Sequence, residues 1–335
     1  MNCHRQRNPA WILFVLFLLL AATGAGVLVL GSTRFSTVEV LLTLVGRGDE
    51  LQNTVIFQMR LPRLVLGVLL GAGLAVAGAV MQGIARNDLA SPDTLGVNAG
   101  SGLGMMFLLL AFPTAVARSP LLMPLGAMAG ALGIVALVFG LAYRRGSVLP
   151  ARLLLVGIAV GFAAHAAMFF IAFRMSFTTY NYALTWMSGN LAGNDWKTIL
   201  FLLPWPLLLI PLLWSRARIL DVFSLGDYLA TGLGVAVERQ RLLLLTAAVI
   251  LTAACTAIGG HIGFLGLVSP HIARRITGRN HAVLIPAAAL IGAITLLLAD
   301  GLARHLFAPV EMPAGVLASV LGGVYFLYLL ATTKV

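Results

Sequence analysis

Nine stretches of the chain contain no Asp, Glu, Lys or Arg: 8–33, 64–85, 94–117, 119–143, 153–173, 198–215, 242–273, 280–299 and 312–333. Crossing a bilayer takes roughly 17–25 predominantly apolar residues, and in lipid a helix satisfies all its backbone groups within one segment. Each run is therefore a candidate span. The run 242–273 is 32 residues long and holds Gly259-Gly260, so it reads as two helices meeting at a flexible pair. The pattern predicts an all-α membrane protein of about ten transmembrane helices, one domain over residues 1–335 with a cytoplasmic loop at about 215–241. The stretch 175–194 is also uncharged, but Ser176, Thr178, Thr179, Tyr180, Asn181, Tyr182 and Asn190 make it too polar for lipid. It is expected to form an external loop.

Composition agrees and removes several functions. Hydrophobic residues make up 60% of the chain and charged residues 10%, with a mean hydropathy of +0.99, where a soluble domain carries about 25% charged residues. Only Lys197 and Lys334 are lysines, and neither ends a Gly-rich phosphate loop, so the chain has no P-loop of its own. It is not expected to be an enzyme, and no catalytic residue is assigned. Cys3 and Cys255 are its only cysteines, and its six histidines never stand at metal-ligand spacing. No resident metal or cofactor is expected.

The net charge of +11 is read as topology before nucleic-acid binding, and no nucleic-acid partner is expected. With the N-terminus inside, 14 Lys and Arg fall in inner loops and 8 in outer ones, which together account for all 22. The positive-inside rule then places both termini in the cytoplasm. The 36 glycines concentrate in apolar segments, where small residues let membrane helices approach closely.

Four segments stand out. Arg60-Leu61-Pro62-Arg63 opens the second span at its outer end. Arginines there can snorkel to the interface, or, with Arg304, pair with carboxylates of an external partner. Residues 81–97, MQGIARNDLASPDTLGV, form an inner connection in which Asn87, Asp88, Ser91 and Asp93 could end one helix and cap the next, or form a gate. In the loop 215–241, Leu225, Leu229 and Leu233 place one apolar stripe on a short helix, suited either to the membrane surface or to a soluble partner. Finally, Gly259 to Arg275 mixes glycines and Pro270 into apolar sequence, which predicts broken helices of the kind that line transport pathways. His271 there reads as a satisfied helix-end histidine. Among the acidic residues only Asp300 lies close to a span, four residues before Arg304 and on the same helix face. A proton- or ion-coupled secondary carrier would keep ionisable groups at bilayer depth, which makes that class the weaker alternative.

RLPR at 60–63, GAGLAVAGAVMQGIARNDLASPDTLGVNAGSG at 71–102, GFLGLVSPHIARRITG at 263–278, LLLADGLAR at 296–304 and EMPAGV at 311–316 resemble, in the same order, the motifs of the FecCD permeases of type II ABC importers. These take up iron-siderophores, haem and cobalamin. The resemblance implies ten helices per subunit, a second permease subunit, two cytoplasmic ATPase subunits carrying ATP and Mg, and an extracytoplasmic substrate-binding protein, all at the bacterial cytoplasmic membrane. It implies a ferric siderophore of hydroxamate or citrate type as cargo, with cobalamin or haem as the alternative, and a heterodimer before a homodimer. Residue by residue, Arg60, Arg63 and Arg304 fall on positions that meet the binding protein. Asn87 and Leu89 match one cytoplasmic gate, and Pro150 and Ala151 another. Leu225, Gly226, Asp227, Ala230, Gly232 and Gly234 match the loop that couples to the ATPase. The chain departs from the family in carrying Asp88 where Pro is usual, which removes a fixed φ and adds a charge at the gate. At the second gate, Pro150 and Ala151 stand where small hydroxyl residues can occur.

Overall fold

The computed structural model describes residues 8–29, 35–119, 121–143, 150–306 and 311–332. Arg5, Arg7, Arg34, Arg144, Arg145 and Lys334 of the charge tally, with Cys3 and the side chain of Pro150, lie outside the described residues.

The charge-free runs become helices: α1 Pro9–Val29, α2 Leu61–Ala85, α3 Val97–Ala111, α4 Leu122–Ala142, α5 Pro150–Ala172, α6 Trp196–Ser215, α7 Val237–Gly259, α8 Leu265–Thr277, α9 His281–Leu306 and α10 Ala314–Thr332. Seven helices among the described residues, α1, α2, α4, α5, α6, α7 and α9, have the length and hydropathy of a full crossing. This is a multi-pass membrane protein. Helices α3 and α10 are shorter apolar helices, and α8 has 13 residues, about 20 Å at 1.5 Å per residue.

Helix α2 is the centre of the bundle, and glycines set how closely its neighbours come. A methyl on Gly71 would lie 2.5 Å from the Gly292 carbonyl oxygen of α9, and one on Gly78 would lie 1.8 Å from that of Gly266 on α8. The same device joins α3 to α4, where a methyl on Gly104 would stand 2.3 Å from the Gly126 oxygen. Contacts of Gly71 with Gly292, and of Gly83 with His281, run α9 antiparallel to α2. Gly73 meets Cys255, and Leu70 meets Gly259, so α7 is antiparallel as well. Helix α8 runs parallel to α2, from Gly266 beside Gly78 to Arg274 beside Gln82. Together α7 and α8 form a hairpin whose bend, residues 260–264, lies beside the middle of α2. Irregular backbone at that depth is tolerated only inside protein or along a water-filled cavity. Gly260 turns the bend with φ +68°, and a side chain there would strike the Trp186 carbonyl oxygen at 2.0 Å.

Prolines also interrupt the helical hydrogen-bond ladder, and at two of these places tryptophans of α6 repair it. Pro62 follows the π-helical turns Thr54–Arg60 and has no N–H for the Phe57 carbonyl, which accepts instead from Trp196 Nε1 at 2.9 Å. Pro286 in α9 frees the Ala282 carbonyl four residues earlier, and Trp214 Nε1 donates to it at 2.8 Å. The uncharged stretch 175–194, expected as a loop, contains the helix Phe177–Met187. Ser176 caps it by accepting from the Thr179 N–H, so its polar residues supply a cap and a wet face while Ala183 is buried.

Candidate functional site

A cavity of about 460 Å³ opens among α2, α3, α5, α7 and the bend between α7 and α8, with Trp186 and Met187 of the short helix on its rim. Its wall is mostly apolar, with one polar relay. The Thr256 hydroxyl donates to Asn98 Oδ1 at 3.0 Å, Asn98 Nδ2 donates to Asp93, and the other oxygen of Asp93 lies 4.0 Å from His261 Nε2. The sequence places Asp93 and Ser91 in a connection where they could cap helices or form a gate. Neither caps a helix, because the 3-10 turn Pro92–Leu95 folds inward against α5. The signal for this is Gly157, where a methyl would lie 2.3 Å from the Thr94 oxygen. His271, at the far side of α8, shares a 2.9 Å hydrogen bond with the Tyr325 hydroxyl.

At one end of the cavity's helices, α2 stops at Arg86, whose φ of +50° is left-handed. The next residues form an exposed turn in which Asn87 Oδ1 accepts from the Leu89 N–H at 2.9 Å. Asp88 is ion-paired to Arg274 of α8, which also donates to Gln82 at 3.3 Å. Ala151 is exposed at the start of α5, and Leu153 and Leu154 one turn on share a crevice with Ile84 and Ala85 at the end of α2. Both expected gate segments thus stand at the same end of the bundle.

The loop 215–241 lies at that end too. It folds as two short helices, Ala217–Phe223 and Asp227–Gly232, with Gly226 between them at φ +106°. The second helix is shorter than the leucine spacing suggests, so only Leu229 of the three sits on it. Leu225, Leu229 and Leu233 are nevertheless all exposed, together with Tyr228, 96% exposed. Ala230, on the opposite face, is buried. Asp227 joins this unit to the bundle through Arg86 and, at 2.8 Å, through the buried Arg241 of α7. Burial raises the pKa of the Asp227 carboxyl, but the hydrogen bond and charge of Arg241, with the charge of Arg86, outweigh it and hold the group below the usual carboxylate range. Gly232 and Gly234 follow at the end of the short helix, the latter with φ +80°.

At the opposite end stand the three arginines expected to face an external partner, and within this chain two of them are buried. Arg60 is 6% exposed and Arg63 9%. Arg63 grips Asp300 through both Nε, at 2.9 Å, and Nη2, at 2.8 Å, and reaches Glu311 at 3.3 Å. Arg304 Nε lies 3.3 Å from the same Asp300, which realises the expected local pair but as the minor one. Arg60 donates to the carbonyls of Leu28 and Val29 at 2.6 and 3.2 Å, and Arg304 to that of Val27 at 3.3 Å. The arginines therefore turn inward because two demands meet here: a buried carboxylate that needs cations, and the carbonyls of the last turn of α1. The cluster of Arg60, Arg63 and Arg304 with Asp300 and Glu311 keeps one net positive charge.

The FecCD transport family matches residues 13–332. The chain is 41% identical over 330 residues to the iron(3+)-hydroxamate import system permease protein FhuG of Bacillus subtilis (strain 168), covering 97% of this chain and 98% of that protein. It is 43% identical over 327 residues to the Fe(3+)-citrate import system permease protein YfmE of the same organism, covering 97% and 96%. Among solved structures, one described as an inward-facing conformation of a metal-chelate type ABC transporter superposes with a TM-score of 0.86 at 31% identity, covering 97% of this chain and 100% of that one.

Proposed function

The chain belongs to the FecCD transport family, and from that premise we propose that it is the membrane-spanning permease of an ATP-driven importer carrying ferric siderophores, of hydroxamate or citrate type, across the bacterial cytoplasmic membrane. The observation that carries this reading is the identity above 40%, over nearly the whole of each chain, to permeases named for iron(3+)-hydroxamate and Fe(3+)-citrate import. Neither relative is named for haem or cobalamin.

The geometry supports a division of labour along the bundle. The exposed face of Leu225, Tyr228, Leu229 and Leu233 is the docking surface for an ATPase subunit, so the Arg86 end is cytoplasmic. ATP and Mg are held by the ATPase subunits, of which two serve two permeases. The turns at Asn87 and Leu89 and at Pro150 and Ala151 close the pathway on the same side. A binding protein docks at the Arg63 end. There Arg60, Arg63 and Arg304 supply a positive field under the surface and hold the ends of α1, α2 and α9 in shape, and charge steers the encounter. The second permease is a related chain of different sequence, and the cavity is this subunit's half of the path.

The test is uptake into proteoliposomes holding the whole complex, with ferric hydroxamate and ferric citrate offered separately on the binding-protein side. ATP inside the vesicle compartment facing the ATPase should be required for uptake. Equal uptake without ATP would overturn the mechanism. The mass of the purified complex distinguishes two permeases of one sequence from two of different sequence.

A further inference from the structure

We infer that Arg86 is the positioning residue through which motion of the ATPase-docking loop reaches the gate turn at Asn87–Leu89, and that its pair with Asp227 must stay closed for ATP hydrolysis to drive transport. The inference rests on the proposed reading of the chain as an importer permease.

Three observations carry it. First, Arg86 is the last residue before the turn, so any displacement of its backbone displaces Asn87 directly. Second, its side chain leaves the bundle axis and bridges 141 residues of sequence to Asp227, the first residue of the docking helix, while its Nε donates to the Phe223 carbonyl at 2.6 Å. One guanidinium thus spans both short helices of the docking unit, and its planar fork fixes direction as well as distance. Third, Arg86 holds φ +50°, a left-handed conformation that strains a non-glycine residue. Such a residue persists where its surroundings over-determine it, and here the two side-chain anchors do so.

The unit has a second support that does not touch the turn. Arg241 holds Asp227 at 2.8 Å and Glu238 at 2.9 Å, and its guanidinium lies 5.9 Å from the Phe223 ring centre. This pair seats the docking helix on α7. Removing Arg86 therefore leaves the docking helix seated, as is the helix before it through Asp221 on His281 and Leu220 against Gly83, and takes away the side-chain link to the gate turn. On the far side, Asp88 ties the turn to α8 through Arg274, so a turn freed from Arg86 remains attached to the bundle and follows α8 instead of the ATPase.

The experiment is the ratio of ATP hydrolysed to ferric chelate transported, measured in proteoliposomes with ferric hydroxamate and ferric citrate as probes. Wild type, Arg86→Gly and Arg86→Lys are compared. Gly is suited to the left-handed backbone and removes the strain, so Arg86→Gly complexes should assemble and hydrolyse ATP. Their ratio should nevertheless rise about tenfold or more. Arg86→Lys keeps a charge for Asp227 but loses the fork to Phe223, and should recover part of the coupling. If Arg86→Gly assembles, hydrolyses ATP and keeps the wild-type ratio, the inference is wrong. If Arg86→Gly sheds the ATPase, measured by copurification, Arg86 is a docking support and the inference also falls. Failure of the wild-type complex to move either chelate with ATP would instead defeat the importer reading.

Discussion

Asp300 is 1% exposed and held by Arg63 through two donors, with Arg304 at 3.3 Å on its other oxygen. Deleting one partner of a buried ion pair leaves an uncompensated charge and costs about 3–5 kcal/mol, whereas replacing the whole pair by apolar side chains is often neutral. Arg63→Met leaves Asp300 with Arg304, so its loss should fall near the lower end, about 3 kcal/mol. Asp300→Leu leaves Arg63 and Arg304 facing each other with the exposed Glu311 beside Arg63, and should reach about 5 kcal/mol. The double variant should lose less than the sum of the two by about 2–3 kcal/mol, the coupling expected of residues in direct contact. The assay is reversible unfolding of the purified permease in mixed micelles, read by helical circular dichroism across the four members of the cycle. Single variants within about 1 kcal/mol of wild type, or strictly additive losses, would refute the buried-pair account. The same geometry changes what charge reversal does. Arg63→Glu would set a third carboxylate beside Asp300 and Glu311, and the permease should fail to accumulate, where a freely exposed docking arginine would let it assemble and weaken only docking.

Three further outcomes follow from the packing and the charges. Gly78→Ala, with its methyl 1.8 Å from a backbone oxygen of α8, should lose about 3 kcal/mol, the upper end of overpacking; Gly133→Ala on α4, with open space around it, should be neutral or slightly stabilising in the same unfolding assay. Trp214→Phe removes the donor to the carbonyl freed by Pro286 and should lose about 1–2 kcal/mol, with no such loss in a Trp214→Phe, Pro286→Ala double variant, where the helix supplies its own donor. Because the folded Asp227 carboxyl titrates below its ordinary value of about 3.9, its pairs contribute fully above that value and are lost only as pH falls through the lower folded one. The ATP-to-chelate ratio should therefore be flat from about pH 5 to 8 at this site, and an Asp227-dependent change inside that window would contradict the ion-paired state.

Much of the architecture is legible in the residue string because it depends on local physics. Charge-free runs become helices, and the break after Gly259 falls where the glycine pair stands, since no tertiary contact is needed to make a long apolar segment helical in lipid or a glycine pair bend. The end of α2 at the turn of Asn87 is likewise readable from turn chemistry, whereas Gly226, which the leucine spacing places on a helix, stands just before it at φ +106°. The polar stretch 175–194 was misread as loop because Ser176 and its neighbours look alike as loop residues and as the cap and wet face of a short helix.

What the fold alone decided are the partners of the charged and polar side chains. Arg63 meets Asp300 across 237 residues, Arg274 meets Asp88 across 186, and Arg86 meets Asp227 across 141. An arginine at a helix end has the same local signature whether it snorkels to water, waits for another protein or closes on a buried carboxylate. Only the antiparallel seating of α9 on α2, brought close by facing glycines, puts Asp300 within reach of Arg63 and turns the latter inward. In the same way Asp93 becomes a cavity residue only when Gly157 admits its turn against α5. Sequence determines which segments cross the membrane, because burial in lipid is a property of each segment by itself; three-dimensional packing determines which charges face one another, because that energy belongs to pairs brought together by the fold.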